Sequence, residues 1–372
     1  MVQKWFFLNV LETFIIGLLE RIPAGLATVY TSNQGDTKEY DQYWLREYGV
    51  TVIRDRMKVL LPTPRVNNAV KQILKSNGIE RVWFGAAAPL AVMAPILRKA
   101  GAKHIVAMTQ GHEVWWAKIY PFKWILQLIA RNVDHLTFLT DYTGTAIGKA
   151  LGKKSKAKMV KILPGIDVAH FIPSAKDPVL ANEIGIHNRP TIVSVGRLVH
   201  RKGQDRLIEA LPKILEKVPN TALLLVGTGP HKEEIKSLVS KHNMDANVFF
   251  VGRIVHEELP RYFALGDLFA MPARNRLAGL EVEGLGIVYL EASACGIPTI
   301  VGNSGGASEA LIEGKTGYLV DGESIDEIAN AAIRILTDPA LRREMGAFGN
   351  KWVNEKWNWQ IWSDRFNQIL FK

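Results

Sequence analysis

In "TIVSVGRLVHRKGQDRLIEAL", residues 191–211, an apolar, β-branched run stops at a glycine and a helical segment follows within a few residues. One strand, one tight turn and one helix are thus written in a single short stretch. Similar runs follow it: "ALLLVGTG" at 222–229, "VFFVG" at 248–252, "LFAMPA" at 268–273, "IPTIVG" at 297–302 and "GYLV" at 317–320. Others precede it: "VWFG" at 82–85, "HIVAMT" at 104–109, "HLTFLT" at 135–140 and "KMVKIL" at 158–163. Short buried strands alternating with helices are the pattern of parallel sheets built from βα units. "LPGID", 163–167, interrupts the series with Pro and Gly and reads as a linker.

The expected fold class is therefore α/β, with two Rossmann-like domains facing a cleft. Residues 1–165 form the first, joined by a C-terminal helix of about 352–372 that packs back on it, and residues 166–351 form the second. That last segment, "FGNKWVNEKWNWQIWSDRFNQIL", carries four tryptophans and is too apolar on one face to be left in water. Ligands of such sheets are expected at the carboxyl ends of the strands.

The chain has 372 residues, 48% of them apolar, enough for two cores. Its lone cysteine, Cys295, makes no internal disulfide, which favours a reducing, cytoplasmic setting. The formal charge of +10 is lopsided: residues 1–165 hold 23 Lys and Arg against 11 Asp and Glu, whereas residues 166–372 hold 23 against 25. A basic first half points to a polyanionic partner, an acidic lipid surface or a nucleic acid, with lysines that merely solvate a surface as the plainer account. No recognised nucleic-acid motif accompanies the charge, so nucleic acid is not an expected partner.

The opening run "MVQKWFFLNVLETFIIGLLERIP", residues 1–23, is interrupted by Glu12 and closed by Glu20 and Arg21. It is too broken to span a membrane and makes a poor signal peptide. It reads as a first helix with Trp5, Leu8, Leu11, Ile15 and Leu18 on its apolar side.

Three stretches carry candidate chemistry. In the turn after residue 195, backbone N–H groups point to where an anion would sit, and Arg197 and Lys202, five apart, have the reach to clamp a diphosphate. A solvated turn would also explain them. In "EVEGLGIVYLEASACGIP", 281–298, Gly284 and Gly286 lead into a helix and let Ile287 and Val288 offer their amides to a phosphate. Glu291, eight positions after Glu283, is placed to accept hydrogen bonds from a ribose. An ordinary amphipathic helix accounts for Glu291 but not for Glu283 beside two glycines. In "TQGHEVWW", 109–116, Gly111 permits close backbone approach and His112 follows a strand end, in a catalytic or a structural role.

Asp-x-Asp is absent, and no His/Cys/Asp cluster has metal-ligand spacing. No metal is expected, which leaves side-chain cations and amides to neutralise a diphosphate. Neither phosphate-binding loop motif is present: "VGTGPH", 226–231, comes nearest to a dinucleotide fingerprint and lacks its third glycine.

Taken in order, "GRLVHRKG", "LLLVGTGP", "VFFVGRI" and the pair Glu283-x7-Glu291 resemble the retaining glycosyltransferases of family four, which have the two-domain GT-B architecture. Within that family, "VWFGAAAPLAVMAP", "GHEVWW", "MPARNR" and "GLEVEGLGIVYLEA" are most similar to members that move mannose from GDP-mannose to a phosphatidylinositol mannoside. The resemblance runs from about residue 2 to 370. It implies that Arg197 and Lys202 hold the diphosphate, Glu291 the ribose and Glu283 the donor sugar. It further implies amides from Ile287 and Val288 on the phosphates, with Gly286 at their turn, backbone around Gly252 and Arg253 at the base, and His112 at the reacting centre.

The donor is then a substrate, and no tightly bound cofactor is expected. The acceptor is a phosphoinositide glycolipid, which places the enzyme peripherally on an anionic membrane, the inner face of the plasma membrane. "WWAKIYPFKW", 115–124, with Arg98, Lys99 and Lys103, is the candidate contact, a core role for its aromatics being the competing reading. Another family-four activity, with a UDP-sugar or an inositol phosphate acceptor, stays open. So does an inactive remnant, because the family opens with a strand and a glycine loop that are missing here: Val2-Gln3 leads directly into helix.

Overall fold

The computed structural model describes residues 10–33 and 35–371, with side chains from Phe14 onward. It divides into two compact units, one holding the chain up to Gly165 together with the segment from Trp359, the other Ile166–Asn358. The long helix Pro339–Lys356 belongs to the second unit, so the returning segment starts at Trp359, not 352.

Among its described residues the first unit has six strands: β1 (Thr28–Thr31), β2 (Thr51–Arg54), β3 (Arg81–Phe84), β4 (His104–Met108), β5 (His135–Phe138) and β6 (Met159–Lys161). Among the described residues β1 pairs with β2, and β3 to β6 form a second sheet in sequence order, all parallel. Both faces are covered, which is why the strands read as unbroken apolar runs. Val82, Phe84, Ile105, Ala107 and Leu136 join one core. Trp83, Val106 and Met108, one residue out of phase, join the other with Phe14, Ile15, Leu18, Trp359 and Phe366. Strands β1 and β2 escaped the sequence reading because each holds only two apolar residues, flanked by Thr in β1 and by Thr and Arg in β2.

The opening helix is seen over Val10–Leu19, and Ile15 and Leu18 are buried as its period requires. Trp5, Leu8 and the Val2-Gln3 junction, on which the expected absence of a first strand and glycine loop rests, lie outside the described residues, as does the side chain of Leu11. Gly17 has a reason to be glycine in mid-helix: a Cβ there would lie 2.3 Å from the Trp359 ring of the returning helix Trp359–Leu370.

The second unit is one parallel sheet of β7 (Thr191–Val195), β8 (Ala222–Val226), β9 (Val248–Gly252), β10 (Leu268–Met271), β11 (Thr299–Gly302) and β12 (Gly317–Val320). Their order is β12-β11-β10-β7-β8-β9. The chain winds outward from β7 to β9, then crosses back to lay β10 on the other side of β7. Connections leaving β7 and β10 therefore diverge, and the gap between them is the switch point where open α/β sheets receive ligands.

Candidate functional site

At the switch point the loops after β7 and β10 lock together through backbone. Gly203 sits at φ +76°, and a Cβ there would lie 2.0 Å from the Pro272 carbonyl oxygen. The Arg274 N–H donates to the Arg201 carbonyl at 2.9 Å. Buried Arg274 then grips Asp205 with both guanidinium nitrogens, at 2.8 and 2.6 Å. Burial would raise the Asp205 carboxyl, but Arg274 outweighs it and holds it below the usual carboxylate range. This fork fixes the start of the helix Gln204–Lys217 against the opposite loop.

The brace positions a charge cluster. Glu283 is 7% exposed, and one carboxylate oxygen accepts from Arg201 Nη1 at 2.5 Å and Lys202 Nζ at 2.8 Å. Burial alone would raise its carboxyl, yet the two cations keep it below the ordinary range, so Glu283 stays ionised. Its backbone is held as well: the Glu283 N–H donates to Ser304 Oγ at 3.0 Å and the Gly306 N–H to the Glu283 carbonyl at 2.9 Å. Ser304 in turn donates to Asn275 Oδ1 at 2.9 Å.

Sequence reasoning paired Lys202 with Arg197; in the fold the cation beside Lys202 at Glu283 is Arg201. Arg197 is exposed, and among the described residues its guanidinium has no hydrogen-bond or ion-pair partner. A five-residue spacing counts reach along the chain, but the three-residue 3₁₀ turn His200–Lys202 turns Arg201 inward toward Glu283. Ser304 and Asn275 were missed because nothing local marks them; they matter only once β10 and β11 stand side by side.

The helix Ile287–Ala294 begins at Gly286, whose φ of +78° and ψ of +68° place it in the left-handed region. A Cβ at Gly286 would lie 2.3 Å from the Tyr289 ring, and the buried Tyr289 hydroxyl donates to the Met271 carbonyl at 2.7 Å. The turn is thereby fixed to β10. Ile287 and Val288, the first two helical residues, are partly exposed, and among the described residues their amides donate to nothing. One turn further, Glu291 is 8% exposed with no side-chain partner among the described residues, and burial pushes its carboxyl up to about 7. At the end of β9, Gly252 takes φ +87° with open space around its Cβ position, and Arg253 is exposed.

Lys202, Glu283, Gly286, Ile287, Val288 and Glu291 thus share the second unit, on the loops and helix that flank the switch point. His112 belongs to the first unit, in the loop after β4, where Gly111 has φ +98°. His112 is exposed, and its Nε2 lies 3.4 Å from Oε1 of the fully buried Glu113. The other Glu113 oxygen accepts the Gln110 N–H at 2.9 Å. Among the described residues Glu113 Oε1 has no hydrogen-bond partner, so the imidazole lies near this carboxylate without being bonded to it.

The segment 115–124 divides. Trp115 and Trp116 pack on Phe122, with ring centroids 4.7 and 5.0 Å away, whereas Tyr120 is 68% and Trp124 55% exposed. Arg98 is tied to Asp134 and the Lys103 carbonyl, and Lys103 pairs with Glu80 at 2.6 Å. Lys99 is exposed. No helix among the described residues is long and apolar enough to cross a membrane.

Residues 179–352 match the family model "Glycosyl transferases group 1". A GDP-mannose-dependent alpha-(1-6)-phosphatidylinositol monomannoside mannosyltransferase of Mycolicibacterium smegmatis is 42% identical over 92% of this chain and 89% of its own length. A GDP-mannose-dependent monoacylated alpha-(1-6)-phosphatidylinositol monomannoside mannosyltransferase of Corynebacterium glutamicum is 39% identical over 91% and 88%. Among solved structures, Anabaena HepE, crystallised with UDP and glucose, superposes with a TM-score of 0.81 at 19% identity, covering 99% of this chain and 98% of that one. That likeness concerns the fold, two α/β domains with parallel sheets.

Proposed function

The chain belongs to the group 1 glycosyl transferases and is a glycosyltransferase, and from that premise we propose that it moves mannose from GDP-mannose to a phosphatidylinositol mannoside at an anionic membrane surface. The observation that carries the reading is the Glu283 cluster with Arg201 and Lys202 beside the two free amides of Ile287 and Val288. Departure of a nucleoside diphosphate concentrates negative charge on its phosphates, and fixed cations and amides already aimed at that place stabilise it without reorganising. Lys202 is the point charge at the phosphates, and Arg197, exposed and unpaired, is the fork that closes on them. Ile287 and Val288 give amides to the same phosphates.

Glu291 takes the ribose hydroxyls, which offer its buried carboxyl the hydrogen bonds it lacks. The backbone at Gly252 and Arg253 meets the base. Glu283, held ionised, accepts from the donor sugar's hydroxyls, and His112 contacts the sugar near the reacting carbon. Retention follows if the acceptor hydroxyl attacks the face that the diphosphate leaves, its proton passing to the departing phosphate oxygen.

In this reading the second unit binds the nucleotide sugar, and the first takes the glycolipid acceptor. Exposed Ile119, Tyr120 and Trp124 with Lys123 and Lys99 suit a bilayer interface with acidic headgroups, which supports a peripheral position on the inner face of the plasma membrane in this reading. The donor assignment is tested by calorimetric titration of the intact protein with GDP-mannose and with UDP-glucose. GDP-mannose is expected to bind at least ~10-fold more tightly; an equal or reversed preference points to the UDP-sugar alternative.

A further inference from the structure

Beside the phosphate-binding loop lies a cluster that plays no part in the scheme above. His200 stands in the turn after β7, His231 closes the loop after β8, and Glu234 is in the first turn of the helix Lys232–Lys241. The sequence showed no metal-ligand spacing here because His200 is separated from the other two by a whole strand and helix. Folding brings them together: Glu234 Oε2 lies 3.7 Å from His200 Nε2 and 3.8 Å from His231 Nε2. All three ligand atoms fall within 4.8 Å of one another, the one such group among the described residues. The imidazole centroids are 3.2 Å apart with planes at 81°.

We propose that His200, His231 and Glu234 bind one divalent cation of the zinc class, ligated by two imidazoles and a carboxylate, and that the ion clamps the donor loop to the helix after β8. Bonds of about 2.0–2.2 Å to a tetrahedral zinc set ligand atoms roughly 3.4 Å apart. The distances from Glu234 to both imidazoles are within half an ångström of that, and the Glu234 side chain, 63% exposed, is free to adjust. Three protein ligands leave a fourth position open.

The surroundings mix polar and apolar side chains, with Val199, Ile235 and Leu238 beside the polar groups. A cavity of about 260 Å³ adjoins the cluster, lined by His231, Glu234, Gln204, Asp205 and Glu209 among others. Gln204 is 1% exposed, and among the described residues its Oε1 has no hydrogen-bond partner. An ion with bound water beside this oxygen would satisfy it. His200 directly precedes Arg201 and Lys202, so fixing its ring fixes the turn that carries both cations to Glu283. The inference goes beyond the mannosyltransferase reading and does not depend on it.

The test is titration of the intact, chelator-stripped protein with Co²⁺ and then Zn²⁺. One Co²⁺ per chain is expected, with the visible bands of a low-coordinate site, bleached by Zn²⁺. His231→Ala and His200→Ala are each expected to weaken Co²⁺ binding by more than ~100-fold, and Glu234→Gln by at least ~10-fold. Zn²⁺ should raise the thermal midpoint of the wild type but not of His231→Ala, the circular dichroism of both being alike without metal. His187→Ala, an exposed histidine outside the cluster, keeps full binding. Absence of a stoichiometric cobalt band, wild-type affinity in the cluster variants, or an equal loss in His187→Ala overturns the proposal.

Discussion

At the scale of single residues, Glu291 and Glu283 show one fold treating two carboxyls in opposite ways. Glu291 is buried without a partner, and its carboxyl is pushed up to about 7. An acid whose folded value exceeds its unfolded one holds its proton more tightly when folded. Its contribution to stability is thus fully present below about pH 4.5 and is lost as pH rises through about 7. Glu291→Gln is expected to match the wild type in thermal unfolding at pH 4 and to exceed it at pH 8, by up to about 3 kcal/mol at ~1.4 kcal/mol per pH unit. Glu283 is held ionised by Lys202 and Arg201, so Glu283→Gln leaves two half-buried cations side by side, with only Glu281, 3.8 Å from Arg201, as a remaining counter-charge among the described residues. That change is expected to cost about 3–5 kcal/mol of stability. A nucleoside diphosphate should restore more of the thermal midpoint in Glu283→Gln than it adds to the wild type, because its phosphates replace the missing charge. Differential scanning fluorimetry with and without GDP reads both effects.

At the scale of elements, the βα alternation was legible because buried parallel strands are apolar on both faces, and β9 and β12 fall where their runs were read, Val248–Gly252 and Gly317–Val320. The short β1 and β2, with little apolar sequence, were not. The glycine-rich turn before Ile287 was legible as well, since a glycine pair ahead of a helix has few other uses. What no run of sequence carries is which side chain of "RLVHRK" faces Glu283: the inward turn of Arg201 depends on β10 lying next to β7. Gly286→Ala should force a side chain at φ +78° into the Tyr289 ring and cost upwards of ~2 kcal/mol, with loss of nucleotide binding on titration. Gly17→Ala, driven against Trp359, should instead change tryptophan emission and loosen the returning helix while leaving nucleotide affinity intact.

At the scale of the whole molecule, the charge is divided as the proposed chemistry is. Residues 1–165 carry the excess of Lys and Arg, and residues 166–372 are nearly neutral. Co-sedimentation with vesicles rich in acidic phospholipid should therefore fall steeply between low and physiological salt, as screening shortens the reach of surface charge to about 8 Å. A Tyr120→Ser/Trp124→Ser pair should weaken that binding further without altering GDP affinity. The most direct measurement of the central claim is transfer of radiolabelled mannose from GDP-mannose into phosphatidylinositol monomannoside held in acidic vesicles, for the wild type and for Lys202→Met. The account predicts labelled glycolipid from the wild type and a loss of about 10²–10³-fold in Lys202→Met, the range for removing one preorganised charge from a leaving group. Wild-type protein that binds GDP-mannose but leaves the lipid unlabelled, or a Lys202→Met variant that transfers as well as wild type, would contradict it.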